Sequence, residues 1–324
     1  MCIAILCTSH PDYPFILINN RDEYLTRPTA RAAFWEPPHQ HVLGGRDLLR
    51  SVRGTWLGMT RQGRIAVLTN YREDQGKEVC GLKSRGAMVN SYLTTEPHSR
   101  ESTEEFARRL VEDVGVGDVG GFTLCFGRLA PSGQGDGDRR GLAIVSNRSL
   151  DVGDVTWLAE RPGEVVGLSN SHFGDTTWPK VVRGESLVRE AVEANVRLAA
   201  AGKEDLLDRL FGVLSSDTLP RRKNGEDWET YLGQLRNSIF IPKLGGENIE
   251  ENSADVVAAA ADQNEKPVVV TSGDGHYATQ KQTAILVSKE GTATFVEKTL
   301  YDEQCRPLQD DKVEYTFDIE GWGM

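Results

Sequence analysis

The sequence predicts a single α+β domain, and three observations predict it. Short apolar segments of strand length recur along the chain, helical patterns lie between them, and strand signals resume on both sides of each irregular stretch. Strands are expected at Ile3–Cys7, Phe15–Asn19, Arg64–Thr69, Gly121–Gly127, Leu142–Ser146, Val165–Ser169, Val268–Thr271, Thr283–Ser288 and Thr294–Lys298. Ser102-Thr-Glu-Glu105 has the form of a capping box and predicts a helix running to about Val114. Trp178–Ala201 predicts a long helix, and Leu206–Leu214 and Trp228–Arg236 predict shorter ones. Two stretches read as excursions within one domain spanning 1–324. The Gly- and Asp-rich 131–141 has the composition of a flexible loop tip, and 245–267 is polar apart from Ala258–Ala261 and is expected to be a mobile insertion. No internal repeat is visible.

Composition removes several function classes. The 324 residues carry 37 basic and 48 acidic side chains, a formal charge of −11. So acidic a chain, with no basic block, repels phosphate backbones and is not expected to bind nucleic acid. The longest apolar run is far short of the ~20 residues a transmembrane span needs. Ile3–Cys7 is too short for a secretory signal and no basic residue precedes it, so the default expectation is a cytosolic chain. Five cysteines without Cys-x-x-Cys spacing argue against a disulfide framework, a zinc finger or a thioredoxin-type site. Six scattered histidines lack His-x-x-x-His spacing, so no metal centre is expected. Trp56, Trp178 and Tyr231 are expected as core or cleft wall.

Cys2 stands apart. Once Met1 is removed, this residue carries a thiol and a free α-amine on the same Cα, and an α-amine of pKa ~7.7–8.0 is well matched to general-base work at neutral pH. A thiol beside its own base is an activated nucleophile that needs no histidine. Ile3–Cys7 and Phe15–Asn19 flank a turn-rich joint and so predict a hairpin. Pairing centred near residue 11 sets Cys2 opposite about Asn20 and delivers Asn20-Arg21-Asp22-Glu23 to the Cys2 end of the sheet. There a carboxylate can orient the ammonium, and Arg21 can hold a substrate carboxylate or a developing oxyanion. Two further strands end alike, in Thr69-Asn70 and Ser169-Asn170. An amide at a strand end can donate to an oxyanion or cap a turn.

These residues resemble a known family. Asn20-Arg-Asp-Glu23 resembles the signature of the transport and Golgi organisation protein 2 family. Gly44-Gly-Arg-Asp47, Gly54-Thr-Trp-Leu-Gly58, Leu68-Thr-Asn-Tyr-Arg-Glu73, Ser84-Arg-Gly86, Ser146-Asn-Arg148, Gly167-Leu-Ser-Asn-Ser171, Trp178-Pro-Lys180 and Ser238-Ile-Phe-Ile241 match it in order. The family in turn resembles N-terminal-nucleophile hydrolases of the bile-salt and penicillin V amidase group, which implies a four-layer αββα sandwich. By that resemblance Cys2 is nucleophile and base, Asp22 orients it, and Asn70 and Asn170 donate on the oxyanion side. Asn20, Arg21, Glu23, Arg72 and Gln280 are then expected around the substrate. Two departures accompany the resemblance. Ile3 and Asn19 fall where those amidases carry arginines, so that either Arg21 stands in from a neighbouring position or the amidase chemistry is absent. The family's Tyr-Gly-Thr-Arg reads Tyr277-Ala-Thr-Gln280, where Ala278 takes up positive φ poorly and Gln280 keeps hydrogen bonding but loses charge.

Three functions follow as expectations. The first is a cysteine amidohydrolase or thioesterase working through acyl-Cys2 with no required cofactor. The second is a non-catalytic protein that binds an acyl carrier, coenzyme A or haem as cargo, with His10, His172, His39 and His41 as the candidate haem ligands. The third is an interaction protein at Golgi membranes, which would need protein partners because no lipidation box or polybasic helix is present. The resemblance implies a role in Golgi organisation, secretion and haem or lipid homeostasis, with cytosolic, mitochondrial or Golgi placement.

Overall fold

The computed structural model describes residues 2–70, 85–117, 119–131, 141–198, 201–223, 225–245 and 275–323. Among the described residues thirteen strands form two sheets. The first half of the chain supplies β1 (Ile3–Cys7), β2 (Phe15–Tyr24), β3 (Thr29–Phe34), β4 (Val42–Asp47), β5 (Leu57–Thr60), β6 (Arg64–Asn70), β7 (Phe122–Arg128) and β8 (Leu142–Ser146). After these come β9 (Thr156–Leu158), β10 (Val165–Leu168), β11 (Tyr277–Val287), β12 (Thr292–Thr299) and β13 (Lys312–Asp318). One sheet runs β10-β1-β2-β11-β12-β13 and the other β3-β4-β5-β6-β7-β8-β9, with every pairing antiparallel.

The helices are α1 (Arg85–Leu93), α2 (Thr103–Arg109), α3 (Pro179–Arg197), α4 (Lys203–Leu214) and α5 (Trp228–Leu232). Three apolar clusters give the layer order. Ala4, Leu6, Leu17, Ile65, Val67 and Ile285 fill the space between the sheets. Ile3, Ile5, Ile16 and Ile18 face α3 and α4, while Ala66, Leu68 and Phe126 face α1 and α2. The chain is therefore an αββα sandwich, as expected. Because β1 and most of β2 are buried on both faces, they read as continuous apolar runs rather than as alternation.

The expected β1 and β8 match in full, and the capping box on Ser102 is present, with the α2 path continuing as one π-helical turn to Val114. β2 runs five residues past its expected end, because β11 pairs with it as far as Tyr24↔Tyr277. The expected strand Val268–Thr271 and the stretch 246–267 lie outside the described residues, as do 132–140 and Arg72.

Asn20 locks three parts of this architecture together. It is fully buried, and its amide donates to the main-chain carbonyls of Leu214, at the end of α4, and Ile239, both at 2.8 Å. Replacing it leaves both carbonyls without their donor. At about 1–3 kcal/mol for each orphaned buried group, Asn20→Leu is expected to cost roughly 2–4 kcal/mol in chemical denaturation, and a loss below about 0.5 kcal/mol would contradict this role.

Candidate active site at the end of the sandwich

The pairing register decides what surrounds Cys2. Ile3 pairs with Asn20 and Ala4 with Asn19, so the register is displaced by one residue from the expected pairing. Continued by one residue, it sets Cys2 opposite Arg21 rather than Asn20. On the other side Ala4 pairs with Leu168, the last residue of β10, and the chain leaves the strand through Ser169 and Asn170 beside Cys2. Directly opposed residues of an antiparallel pair share a face. Cys2 thus lies beside Arg21 on the β2 side, and on the β10 side the Ser169 hydroxyl donates to its carbonyl at 2.7 Å.

Alternation along β2 splits the Asn-Arg-Asp-Glu segment between two faces. Arg21 points between the sheets, with its guanidinium 4.5 Å from the Trp56 ring centroid. Its Nη1 donates to Gln280 Oε1, and its Nη2 lies 3.7 Å from Glu23 Oε2. Burial pushes the Arg21 guanidinium down, while the negative charges of Glu23 and Cys2 act against that shift. Asp22 and Asn20 turn toward the helices. Asp22 Oδ1 accepts from the Thr279 hydroxyl at 2.7 Å, and Oδ2 lies 4.0 Å from Lys180 Nζ. Asn20, expected at the substrate, instead spends its amide on the α4 layer.

Gln280 is the extra residue of a bulge in β11, where pairing with β2 shifts register between Thr279 and Lys281. The bulge turns its amide oxygen to Arg21 and to the Thr29 hydroxyl. Ala278 is not among the residues at positive φ; it is fully buried beside Leu25 and Cys305, so alanine costs nothing in backbone strain there.

The two strand-end asparagines meet across the sheets, since Asn170 Nδ2 donates to the Asn70 main-chain carbonyl. That carbonyl can only accept, which fixes the amide orientation. One Nδ2 hydrogen of Asn170 remains for another acceptor, and its buried Oδ1 has no hydrogen-bond partner. A cleft of about 120 Å³ opens beside Ser169, lined also by His172, Asp175 and Glu185.

Several residues that sequence reasoning left without a role complete the site. Gly45 makes room for Trp56: a Cβ there would lie 2.7 Å from the indole Cη2. Gly54 and Gly86 bring their backbones together, each with a virtual Cβ 3.0–3.1 Å from the Cα of the other. Arg27 pairs with Asp47 and lies 3.8 Å from Glu23. Burial and the nearby Arg50 and Arg27 push Arg85 down to about 10, and it donates to the Gly121 carbonyl at 3.1 Å. Asp47, Trp56, Arg85 and Lys180 all lie in the short motifs that matched the family, and those motifs were the available signal.

Among the candidate haem ligands, His10 is committed. Its Nε2 meets Asn195 Oδ1 at 2.9 Å and its Nδ1 accepts from the Asp12 and Tyr13 amides. His39 and His41 sit in the β3–β4 turn, at the opposite end of β4 from Asp47. His172 is exposed on the cleft.

Among the described cysteines, Cys2 alone is half-buried, whereas Cys7, Cys125 and Cys305 are buried. Its Sγ donates to the Asp22 carbonyl at 3.8 Å. Burial pushes its thiol up and the Asp22 charge adds to that, while the hydrogen bond to the Asp22 carbonyl and Arg21 oppose it. Burial pushes Cys125 up to about 12. Iodoacetamide is therefore expected to label Cys2 before Cys7 and Cys125. The rate should still climb above pH 9, because the thiolate fraction grows about tenfold per unit below a raised pKa. Peptide-level mass spectrometry reads both; a plateau below pH 8, or earlier labelling of Cys125, would contradict the geometry.

Comparison with known proteins agrees with the motif reading. The Transport and Golgi organisation 2 family matches residues 1–302. Drosophila melanogaster Transport and Golgi organization protein 2 is 34% identical over 255 residues, covering 74% of this chain and 82% of its own length. The Homo sapiens Transport and Golgi organization protein 2 homolog is 29% identical over 306 residues, covering 94% and 93%. Among solved structures, the C2A mutant of conjugated bile acid hydrolase from Clostridium perfringens aligns with a TM-score of 0.40 and 9% identity, covering 98% of this chain and 92% of its own. Among the described residues no helix is long and apolar enough to cross a membrane. With its signature segment built into β2, the chain belongs to the Transport and Golgi organisation 2 family.

Proposed function

We propose that this protein is a hydrolase of amide or thioester bonds whose nucleophile is Cys2, made the first residue by removal of Met1. In this reading its activity serves the Golgi-organisation role for which the family is named. The observation that carries the reading is the one half-buried cysteine among those described, set at the start of β1 beside Arg21 of β2 and held through its carbonyl by Ser169, the neighbour of Asn170.

The chemistry runs in two steps. Cys2 Sγ attacks the acyl carbon while its thiol proton passes to the Cys2 α-amine. A thiol held above its ordinary value needs such a base, and the α-amine supplies it from the same residue. The second Nδ2 hydrogen of Asn170 and the Arg21 guanidinium are the groups available to the developing oxyanion, with Asn70 holding Asn170 in place through its carbonyl. Collapse expels the leaving amine or thiol, which takes the proton from the ammonium. Water then hydrolyses the thioester, the α-amine acting as base again.

Haem as cargo is the competing reading, and His172 is the histidine best placed for it. Its cleft, at about 120 Å³, is well short of the roughly 300–1,000 Å³ of ordinary ligand pockets.

The test is intact mass spectrometry of the purified chain, followed by incubation with an acyl-thioester or activated-amide probe. The expected result is a mass lacking Met1 and an acyl adduct mapped to Cys2, absent in Cys2→Ala with unchanged thermal stability. A chain that retains Met1 from its native source, or an adduct that survives Cys2→Ala, overturns the assignment.

A further inference from the structure

Lys180 has no role in the mechanism above, yet it is one of the largest fully buried side chains in the protein. It sits in the first turn of α3, where the helix macrodipole disfavours a cation, and nothing in local helix formation asks for a lysine there. Its position over β1 is set one turn further on. Gly184 packs so tightly on β1 that an added Cβ would lie 2.5 Å from Ile5 Cδ1 and 3.5 Å from Ile3 Cδ1. Lys180, four residues earlier, is thereby carried to the start of the strand. There its Nζ lies 4.0 Å from Asp22 Oδ2, and the Asp22 carbonyl accepts the Cys2 Sγ hydrogen bond at 3.8 Å. The Trp178 ring, 5.8 Å from Nζ, walls the ammonium in.

Burying a lysine and an aspartate together costs more than a well-packed apolar pair, so the pair calls for a reason beyond stability. We propose that Lys180 is a positioning residue for Cys2: its ammonium offsets the Asp22 carboxylate and so favours ionisation of the Cys2 thiol over what that carboxylate would otherwise allow. This inference rests on Cys2 being the reactive cysteine and deepens that reading. Among the described residues the charged groups near Cys2 are Asp22 and Arg21 from β2 and Lys180 from α3, joined in the processed chain by the α-amine of Cys2 itself; β1 and β10 contribute none. The sign is unambiguous. A nearby cation favours thiolate and a nearby carboxylate disfavours it, so deleting Lys180 removes one of the cations that offset Asp22 at the thiol. Burial pushes Lys180 itself down, while Asp22 and the Cys2 charge support its protonated form.

The experiment is the pH dependence of Cys2 carboxamidomethylation by iodoacetamide, read at the peptide level, in wild-type, Lys180→Met and Lys180→Arg chains. No acyl substrate is involved, so failure of the hydrolase reading shows up in the acyl-probe test and failure of this inference shows up here. The expected result is a Lys180→Met midpoint at least one pH unit above wild type, about a tenfold slower reaction at pH 7.5, with Lys180→Arg near wild type. A shared midpoint for wild type and Lys180→Met overturns the proposal. If Lys180→Met does not fold, the wild-type chain carries the test. By reciprocity, S-methylation of Cys2 should lower the pKa of Lys180, followed by the ¹³Cε chemical shift of labelled lysine, and an unchanged Lys180 titration overturns the proposal.

Discussion

The register of β1 between β10 and β2 is the constraint on which the site depends. Ile3, Ile5 and Cys7 pack toward α3 and α4, and Ala4 and Leu6 pack between the sheets. A one-residue slip of β1 would exchange these sets and carry Cys2 out of the row facing the inter-sheet space, away from the Arg21 side of β2 and into the apolar helix layer. Both faces are buried, so the register is strongly specified from both sides. The placement of Cys2 is therefore a consequence of apolar packing several residues away.

The same alternation explains why one short acidic-basic segment does two jobs. Arg21 and Glu23 belong to the inter-sheet side, where Trp56 and Gln280 receive the guanidinium. Asn20 and Asp22 belong to the helix side, where they hold α4 and meet Lys180. A second buried pair, Lys281 with Glu297, lies in the first sheet, with Nζ 3.1 Å from Oε1, and Glu297 also accepts the Ala32 amide at 2.8 Å, from β3 of the facing sheet. Charge inside this sandwich is thus tied to its sheet-to-sheet and sheet-to-helix contacts, which offsets part of the cost of burying it.

How much of this was legible depended on local signal strength. β1, β8 and the α2 cap were readable because apolar runs and a capping box are local. β4 was not, since Val-Leu-Gly-Gly-Arg-Asp reads as a turn, and its glycines are demanded by long-range contacts: a Cβ on Gly44 would lie 2.7 Å from the Leu57 carbonyl, and one on Gly45 would strike Trp56. β13, an edge strand with an exposed face, has too weak an apolar pattern to stand out. At the site, Cys2, Arg21 and Asn170 were each readable as strand-end chemistry. The split of Asn20 and Asp22 onto the other face hung on one residue of register that turn composition does not specify. Lys180 was visible only as the last letter of a matching motif, because its partner Asp22 is distant in sequence and joins it only through the packing of α3 on β1.

The most direct test of the register is a crystal structure of the chain after carboxamidomethylation of Cys2. The account predicts that the acetamide lies between the sheets, against the Arg21 guanidinium and the Asn170 amide. An acetamide seated among α3 and α4 on the far side of β1 would contradict it.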